Sequence, residues 1–362
     1  MFSKLPYLYL FLITMFFGTL LSISSVYWLG IWVGLEVNLI GFLPLMVYSK
    51  GIMESESGVK YFVVQAIGSS LMLFGSLLSY SISFSWDLSS NLLGSSLEDL
   101  NYGYFYMMFI ISGLCLKMGV FPFHFWLPSV MGGLSWFSCM LLATWQKIAP
   151  LFLFVFLIQS SSFYGLLLIV CVMCSGSTLV GGFGGFNQTQ VRGLLAYSSI
   201  SHLGWILFAC IYSEMVMMIY LVIYLFITII LFFSLLYSDL NEMKSPKKML
   251  DSWFSIKVVS MIMLLTLGGL PPFLGFFSKW LVMYASLLAG SYSVFLVFLI
   301  SGSLISLCYY LSLFFNLYLS ELKKFQVSKL FFSNSIVSVL LIILNFISLV
   351  FIFNINFFDI LF

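Results

Sequence analysis

Five ionisable side chains stand inside stretches otherwise apolar enough to cross a lipid bilayer: Glu36, Lys117, Lys147, His202 and Lys279. A charge at the centre of a membrane helix costs roughly 2.5–3.5 kcal/mol on insertion scales. Three lysines and one glutamate would together cost about 10 kcal/mol on those scales, comparable to the stability of a whole folded domain. Selection for stability alone removes such residues, so their retention points to a task for the charge itself. One central carboxylate cannot pair with all three lysines. Burial disfavours the charged form of a lysine, and a nearby carboxylate favours it. A lysine whose distance from its carboxylate changes therefore takes up and releases a proton. Glu36 with Lys117 is the candidate modulating pair, and Lys147, His202 and Lys279 are candidate relay groups.

The local sequence singles out the lysines further. Lys117-Met-Gly-Val-Phe-Pro122-Phe-His124-Phe-Trp-Leu-Pro128 places a proline inside an apolar span. Proline lacks the amide donor and clashes with the carbonyl four residues back, so Pro122 frees the carbonyl of Met118. Leu267-Gly-Gly-Leu-Pro271-Pro272-Phe-Leu-Gly-Phe-Phe-Ser-Lys279-Trp280 does the same for Leu267 and Gly268. In Thr144-Trp-Gln-Lys147-Ile-Ala-Pro150 the carbonyl of Gln146 is freed beside Lys147. Each lysine also has a plainer reading, with its stem covering apolar surface and its head at the interface. For His202, in a span with Ser198, Ser199 and Ser201, the plainer reading is a hydrogen-bonded structural imidazole. For His124 it is a partner for freed backbone carbonyls.

These residues sit in a chain of 362, of which 62% are hydrophobic and only 7% charged. Soluble domains carry about 25% charged residues, so this is a polytopic membrane protein with no separate soluble domain. A net charge of +2 without a basic face excludes nucleic acid as a partner. No cleavable signal pattern precedes the first apolar stretch. Six cysteines lie in apolar runs, and Cys171-x-x-Cys174 lacks a second Cys or His pair, so they are buried helix thiols and no metal site is expected. The glycine-rich Gly181-Gly-Phe-Gly-Gly-Phe-Asn187 lacks the Gly-Lys-Ser of a phosphate loop and is expected to be a tight loop before a helix.

Windows of about 20 apolar residues give about eleven transmembrane helices. They run over 5–21, 26–47, 59–84, 102–128 (broken), 134–158, 163–182, 191–212, 215–236, 254–288 (broken), 292–319 and 331–353. This topology puts Lys4, Lys50, Lys60, Arg192, Lys244, Lys247, Lys248, Lys257, Lys323, Lys324 and Lys329 on one side. The other side holds only Asp87, Glu98, Asp99, Glu214 and Asp359. That asymmetry fits the positive-inside rule and puts the N-terminus in the positive compartment. Grouped as five, five and one, the broken helix is fourth in each five. An odd-numbered repeat re-enters the membrane upside down, the inverted-topology arrangement of secondary transporters. The expected units are a first five-helix repeat (1–158, broken at 117–128), a second (159–319, broken at 267–280), and a loop with one extra C-terminal span (320–362).

Five motifs carry a resemblance. They are Trp32-Val-Gly-Leu-Glu36-Val-Asn38, Lys117-Met-Gly-Val-Phe-Pro-Phe-His-Phe-Trp126 and Thr144-Trp-Gln-Lys-Ile-Ala-Pro150. The others are Asn187-Gln-Thr-Gln-Val-Arg192 with Leu195 to Trp205, and Leu267-Gly-Gly-Leu-Pro-Pro272 with Phe277-Ser-Lys-Trp280. In this order, over roughly residues 20–285, they resemble the antiporter-like family of subunit 2 of mitochondrial NADH–ubiquinone oxidoreductase, respiratory complex I. Phe186 and Ser278 stand where that family commonly has Leu and Pro, and the last span resembles it only in hydropathy. The resemblance implies a proton-translocating core subunit of the membrane arm, similar to cation/proton antiporters, coupled to electron transfer from NADH to ubiquinone elsewhere. Glu36 and Lys117 would be the paired charge of one half-channel, Lys147 the central lysine and Lys279 the terminal one, with His202 on the polar axis between them. It implies that this chain binds no cofactor, with FMN, iron–sulfur clusters and ubiquinone used by other subunits. Partners would be other membrane-arm subunits, the lipid bilayer and protons. The location would be the mitochondrial inner membrane, with the N-terminus in the matrix. The residues alone leave open a stand-alone cation/proton antiporter, which would use the same side chains, and a structural membrane-arm protein whose charges serve assembly.

Overall fold

Runs of apolar residues interrupted at a few prolines and glycines fold into thirteen α-helices among the described residues of a computed structural model. The described residues are 7–48, 51–87, 97–160, 164–242, 250–271, 273–290 and 292–325. In order the helices are α1 (Leu8–Ser24), α2 (Trp28–Val47), α3 (Ile52–Ser83), α4 (Leu97–Met118), α5 (Trp126–Gly133), α6 (Trp136–Ala143) and α7 (Trp145–Ser160). They continue as α8 (Tyr164–Phe186), α9 (Val191–Tyr212), α10 (Glu214–Glu242), α11 (Leu250–Gly268), α12 (Leu274–Ala289) and α13 (Ser293–Phe325). Seven segments are long and apolar enough to cross a membrane, and α1, α12 and parts of α4 and α11 are shorter apolar helices. The fold is an all-helical, multi-pass membrane architecture. The expected span at 331–353 lies outside the described residues, as do residues 88–96.

Both expected interruptions are present. α4 stops at Met118 and Gly119 turns left-handed at φ 75°; α11 stops at Gly268 and Gly269 turns left-handed at φ 76°. A left-handed residue just past a helix end is the position glycine fills without a Cβ clash. The amides of Val120 and Leu270 fold back on the carbonyls of Cys115 and Leu265, closing each helix in the same way.

Three expectations need correction. The span at 134–158 is itself interrupted: Thr144, at φ −110° and ψ −74°, separates α6 from α7. Thr144 sends its amide and its hydroxyl to the Met140 carbonyl (3.0 and 2.7 Å). Pro150 gives the Gln146 carbonyl no amide partner, so the first turn of α7 is weakly held. The third span begins earlier than expected, because the polar stretch from Met53 to Gly58 continues the helix and Lys60 bonds Glu56 at 2.6 Å one turn back. Lys257, expected on the positive side, is 8% exposed and lies two turns inside α11, at the start of its apolar stretch. The Gly181–Phe186 stretch is not a loop but the last turns of α8. Its glycines are small for packing: a Cβ at Gly181 would lie 2.7 Å from the Tyr197 carbonyl of α9, and one at Gly182 2.9 Å from the Gly302 carbonyl of α13.

α9 is the axis of the bundle, buried along nearly its whole length. Around it the apolar residues form two separate cores. Along α2, Trp28, Ile31 and Leu35 belong to one core, Leu39 and Phe42 to the other. Glu36 and Asn38 fall at the changeover. The same switch occurs in α9 between Ile200 and Leu203, across Ser201 and His202. It occurs between Ala143 and Ala149, across Thr144 to Lys147, and between Leu267 and Phe277, across the second interruption. The polar side chains therefore share one layer, sandwiched between two apolar ones.

Candidate functional site

The layer begins at the first interruption. Lys117, in the last turn of α4, is 7% exposed. Gly68 on α3 leaves room for its stem, since a Cβ there would lie 3.2 Å from Lys117 Cγ. The backbone around the break is satisfied by neutral donors. Trp126 Nε1 donates to the Leu116 carbonyl at 3.1 Å, and Gln65 Nε2 to the Lys117 carbonyl at 3.3 Å. His124 sits with Nδ1 3.2 Å from the Pro122 carbonyl, in the structural role considered for it.

Lys117 lines a small polar cavity with Asn38, Tyr61, Gln65 and Gln146. Room for the centre of a water molecule in it is about 10 Å³, the scale of a single water with several polar partners. Glu36 lies on the same helix as Asn38, and its field reaches both Lys117 and Tyr61. The two do not form a contact ion pair; the ion pair among the described residues is Lys60–Glu56 on the surface. Glu36 is half-buried, with Oε1 buried and without a hydrogen-bond partner among the described residues. An interaction between the two would be through space, varying smoothly with separation.

The centre of the layer is the irregular start of α7. Lys147 is 4% exposed, and its amino group has no hydrogen-bond partner among the described residues. It lies 5.7 Å from the centroid of the Tyr224 ring, within cation–π range. Tyr224 donates to the Ala143 carbonyl at the α6–α7 break (3.3 Å). The same ring lies next to His202, centroid to centroid at 5.4 Å. His202 bonds the Tyr220 hydroxyl through Nδ1 at 3.0 Å, and also bonds the Leu267 backbone at the end of α11. The fields of both Lys147 and Lys279 reach it.

The far end is the second interruption. Lys279, 7% exposed, reaches back from α12 and donates to the Gly268 carbonyl at 3.1 Å. That is one of the two carbonyls expected to be freed there by proline. Gly269 is tight against this amine: a Cβ would fall 2.9 Å from Lys279 Nζ. The structure thus brings Lys147, His202 and Lys279 into one continuous cluster, and Glu36 and Lys117 into a neighbouring one. Tyr220 and Tyr224 were not singled out in the sequence, although their i, i+4 spacing in an apolar span was the available signal. Asn38, Gln65 and Gln146 were likewise passed over, because an amide carries no charge to flag it. Five of the six cysteines, Cys171 and Cys174 on α8 among them, are buried thiols as expected, whereas Cys308 on α13 is exposed.

The arrangement holds cationic and imidazole groups in a chain, each next to a hydroxyl, a carbonyl or a small polar cavity. Such a chain can take up and hand on protons. Comparison with known proteins bears on family and fold. The family profile described as "NADH:quinone oxidoreductase/Mrp antiporter, TM" matches residues 25–306. NADH-ubiquinone oxidoreductase chain 2 of Anopheles gambiae is 41% identical over 347 residues, 94% of each chain. The protein of the same name from Locusta migratoria is 39% identical over 85% of this chain and 84% of its own. Among solved structures, a chain of respiratory complex I from Thermus thermophilus superposes with a TM-score of 0.72 at 24% identity, over 84% of this chain and 69% of that one. A chain of the archaeal membrane-bound sulfane sulfur reductase gives 0.80 at 19% identity, over 94% and 72%. At these identities the two structures speak to the fold.

Proposed function

The chain belongs to the NADH-ubiquinone oxidoreductase chain 2 family, and on that premise we propose that its buried Glu–Lys–His layer is the proton path of a membrane-arm subunit of the proton-pumping NADH–ubiquinone oxidoreductase. The observation that carries this reading is the burial of the charges: Lys117, Lys147, His202 and Lys279 are each less than a tenth exposed, and Lys147 and His202 fall where the two apolar cores meet. In this reading the cavity beside Lys117 receives the proton. Glu36 holds the charge on Lys117, and a shift in their separation releases the proton towards Lys147. Tyr224 and His202 join Lys147 to Lys279, which waits on the Gly268 carbonyl and delivers the proton at the far end.

Hydride and electron transfer belong to other subunits, with FMN, iron–sulfur clusters and ubiquinone there and no cofactor in this chain. The partners are those subunits, the surrounding lipid and the translocated protons. The membrane is the mitochondrial inner membrane, with the N-terminus in the matrix, a reading supported by the one-sided distribution of Lys and Arg and by animal relatives. The 5+5+1 grouping, with units 1–158, 159–319 and 320–362, is supported by the matched glycine stops at Gly119 and Gly269. Relatives named as oxidoreductase subunits over most of the chain favour this reading over a free-standing antiporter.

The test is to replace Glu36 by Gln, Lys117 by Met and Lys279 by Met, one at a time, in an assembled complex reconstituted in liposomes. The expected outcome is assembled complex with depressed proton pumping and depressed quinone reduction. Normal coupled activity in all three would refute the assignment of the layer.

A further inference from the structure

We propose that the side-chain amides of Asn38 and Gln146 form a gate between the Lys117 cavity and Lys147. The inference rests on the proton-translocating reading above and adds to it the element that controls passage between its two clusters. Asn38 Nδ2 donates to Gln146 Oε1 at 3.0 Å, and Gln146 Nε2 donates to Asn38 Oδ1 at 3.0 Å. The pair clasps α2 to α7 across 108 positions of sequence. The Tyr61 hydroxyl braces it, donating to Gln146 Oε1 at 3.4 Å. Both amides line the cavity that Lys117 lines. Successive residues of a helix point about 100° apart, so Gln146 faces the cavity while Lys147, the next residue, turns to the Tyr224 ring. The clasp therefore stands between the two lysines.

An amide is neither an acid nor a base near neutral pH. With donors and acceptors matched to each other, the closed pair presents no group that passes a proton on. Opened, the same two side chains expose two acceptors and two N–H₂ donors, enough to order water between Lys117 and Lys147. The parts needed for opening are adjacent. Gln146 lies two residues past the Thr144 irregularity, and its own carbonyl loses its helical partner to Pro150. Asn38 lies two residues past Glu36, so a change in what Glu36 faces moves the α2 half of the clasp. A closed clasp keeps the two lysines from exchanging protons until Glu36 has acted, which is what a pump needs to avoid leaking.

The test uses the assembled complex in proteoliposomes. The variants are Asn38→Leu, Gln146→Leu, Asn38→Asp and the swap Asn38→Gln with Gln146→Asn, alongside Lys117→Met as a control. Amount of assembled complex, protons pumped per NADH oxidised and passive proton leak without NADH are measured. The leucine variants are expected to assemble and to lose pumping, and the swap, which keeps both amides and the total side-chain length, restores it. Asn38→Asp puts a proton-exchanging group into the wall and is expected to raise the passive leak, which a merely structural contact would not do. Wild-type pumping in both leucine variants, with pumping lost in Lys117→Met, overturns the gate and leaves the proposed function standing. Wild-type pumping in Lys117→Met takes Lys117 out of the path and overturns the gate with it, while the proposed function falls only if Glu36→Gln and Lys279→Met pump normally as well. If the leucine variants do not assemble, the other two decide: a swap that fails to pump, together with an aspartate that does not leak, overturns the gate.

Discussion

At the second interruption the amine of Lys279 donates to the Gly268 carbonyl that proline left open. At the first, the Leu116 and Lys117 carbonyls are taken by neutral donors, and the lysine faces a polar cavity and the field of Glu36. The chain stops look alike, each a left-handed glycine with the following amide folded back. What differs is which group satisfies the exposed backbone. A carbonyl accepts a hydrogen bond from an amine in either protonation state, so Lys279 is held in place whether or not it is charged. Lys117 is governed by a carboxylate, so its charge responds to where Glu36 is. The comparison makes the first break the controlled end of the layer and the second a fixed station.

The largest effect expected from this contrast is at Gly275. An added Cβ there would collide with the Thr266 carbonyl, which is backbone and cannot turn aside. The two halves of the second broken helix touch at that point. At the first break the Cβ of Gly119 would meet only side chains, Leu127 at 2.8 Å and Trp126 at 3.4 Å. Gly275→Ala is expected to destabilise by about 3 kcal/mol or more, the upper range of overpacking, and to reduce assembled complex sharply on a native gel. Near-normal assembly would mean that the half-helices are free to separate, and the second station would no longer be fixed.

Next in size is the pair Lys279→Met and Lys117→Met, read for stability as well as pumping. Both remove a buried amine that the proposed function puts on the proton path. Only the first strips a buried carbonyl of its hydrogen-bond donor, at a cost of about 1–3 kcal/mol. Heat inactivation of the assembled complex should occur at lower temperature for Lys279→Met than for Lys117→Met. Equal temperatures would erase the distinction between the two breaks.

Much of this was legible beforehand, for identifiable reasons. Proline and glycine act locally, so the breaks near Pro122 and Pro271 follow from the chain alone, and so does the freeing of Gly268. The three lysines and Glu36 stand out because each is alone among apolar neighbours. The break at Thr144 was not legible, because Pro150 lies six residues further on and its effect depends on the Thr144 hydroxyl and on Tyr224 from α10. The burial of Lys257 depends on where α11 begins, which hydropathy places only loosely. The Asn38–Gln146 clasp depends on a helix meeting another more than a hundred residues away. No period or spacing encodes that. The expected pairing of Glu36 with Lys117 survives as action at a distance rather than as contact, a distinction that only coordinates can make.

Gly269→Ala against Gly119→Ala gives a smaller and sharper contrast. Both residues have positive φ, so each alanine is expected to cost about 1–2 kcal/mol in backbone strain. Beyond that common cost the outcomes should separate. The methyl at Gly269 would crowd Lys279 Nζ, whereas the methyl at Gly119 would crowd Leu127. Complexes matched for amount should therefore pump less per NADH oxidised with Gly269→Ala than with Gly119→Ala. Equal pumping would show that the position of the Lys279 amine is not critical.

The smallest expected effect tests the wet side of the comparison. Gln65→Met removes the donor to the Lys117 carbonyl while keeping the side-chain volume nearly constant. In a dry site this would leave a buried acceptor unmatched. Here Gln65 borders the cavity beside Lys117, where a water can replace the lost donor. The loss should therefore be no more than about 0.5–1 kcal/mol, below the range expected for an unmatched buried group. It should be visible as a small drop in the inactivation temperature, with assembly intact. A loss as large as that of Lys279→Met would mean that no water reaches the Lys117 carbonyl. The first break would then be as dry as the second, and control by Glu36 would have to operate without a hydrated entry.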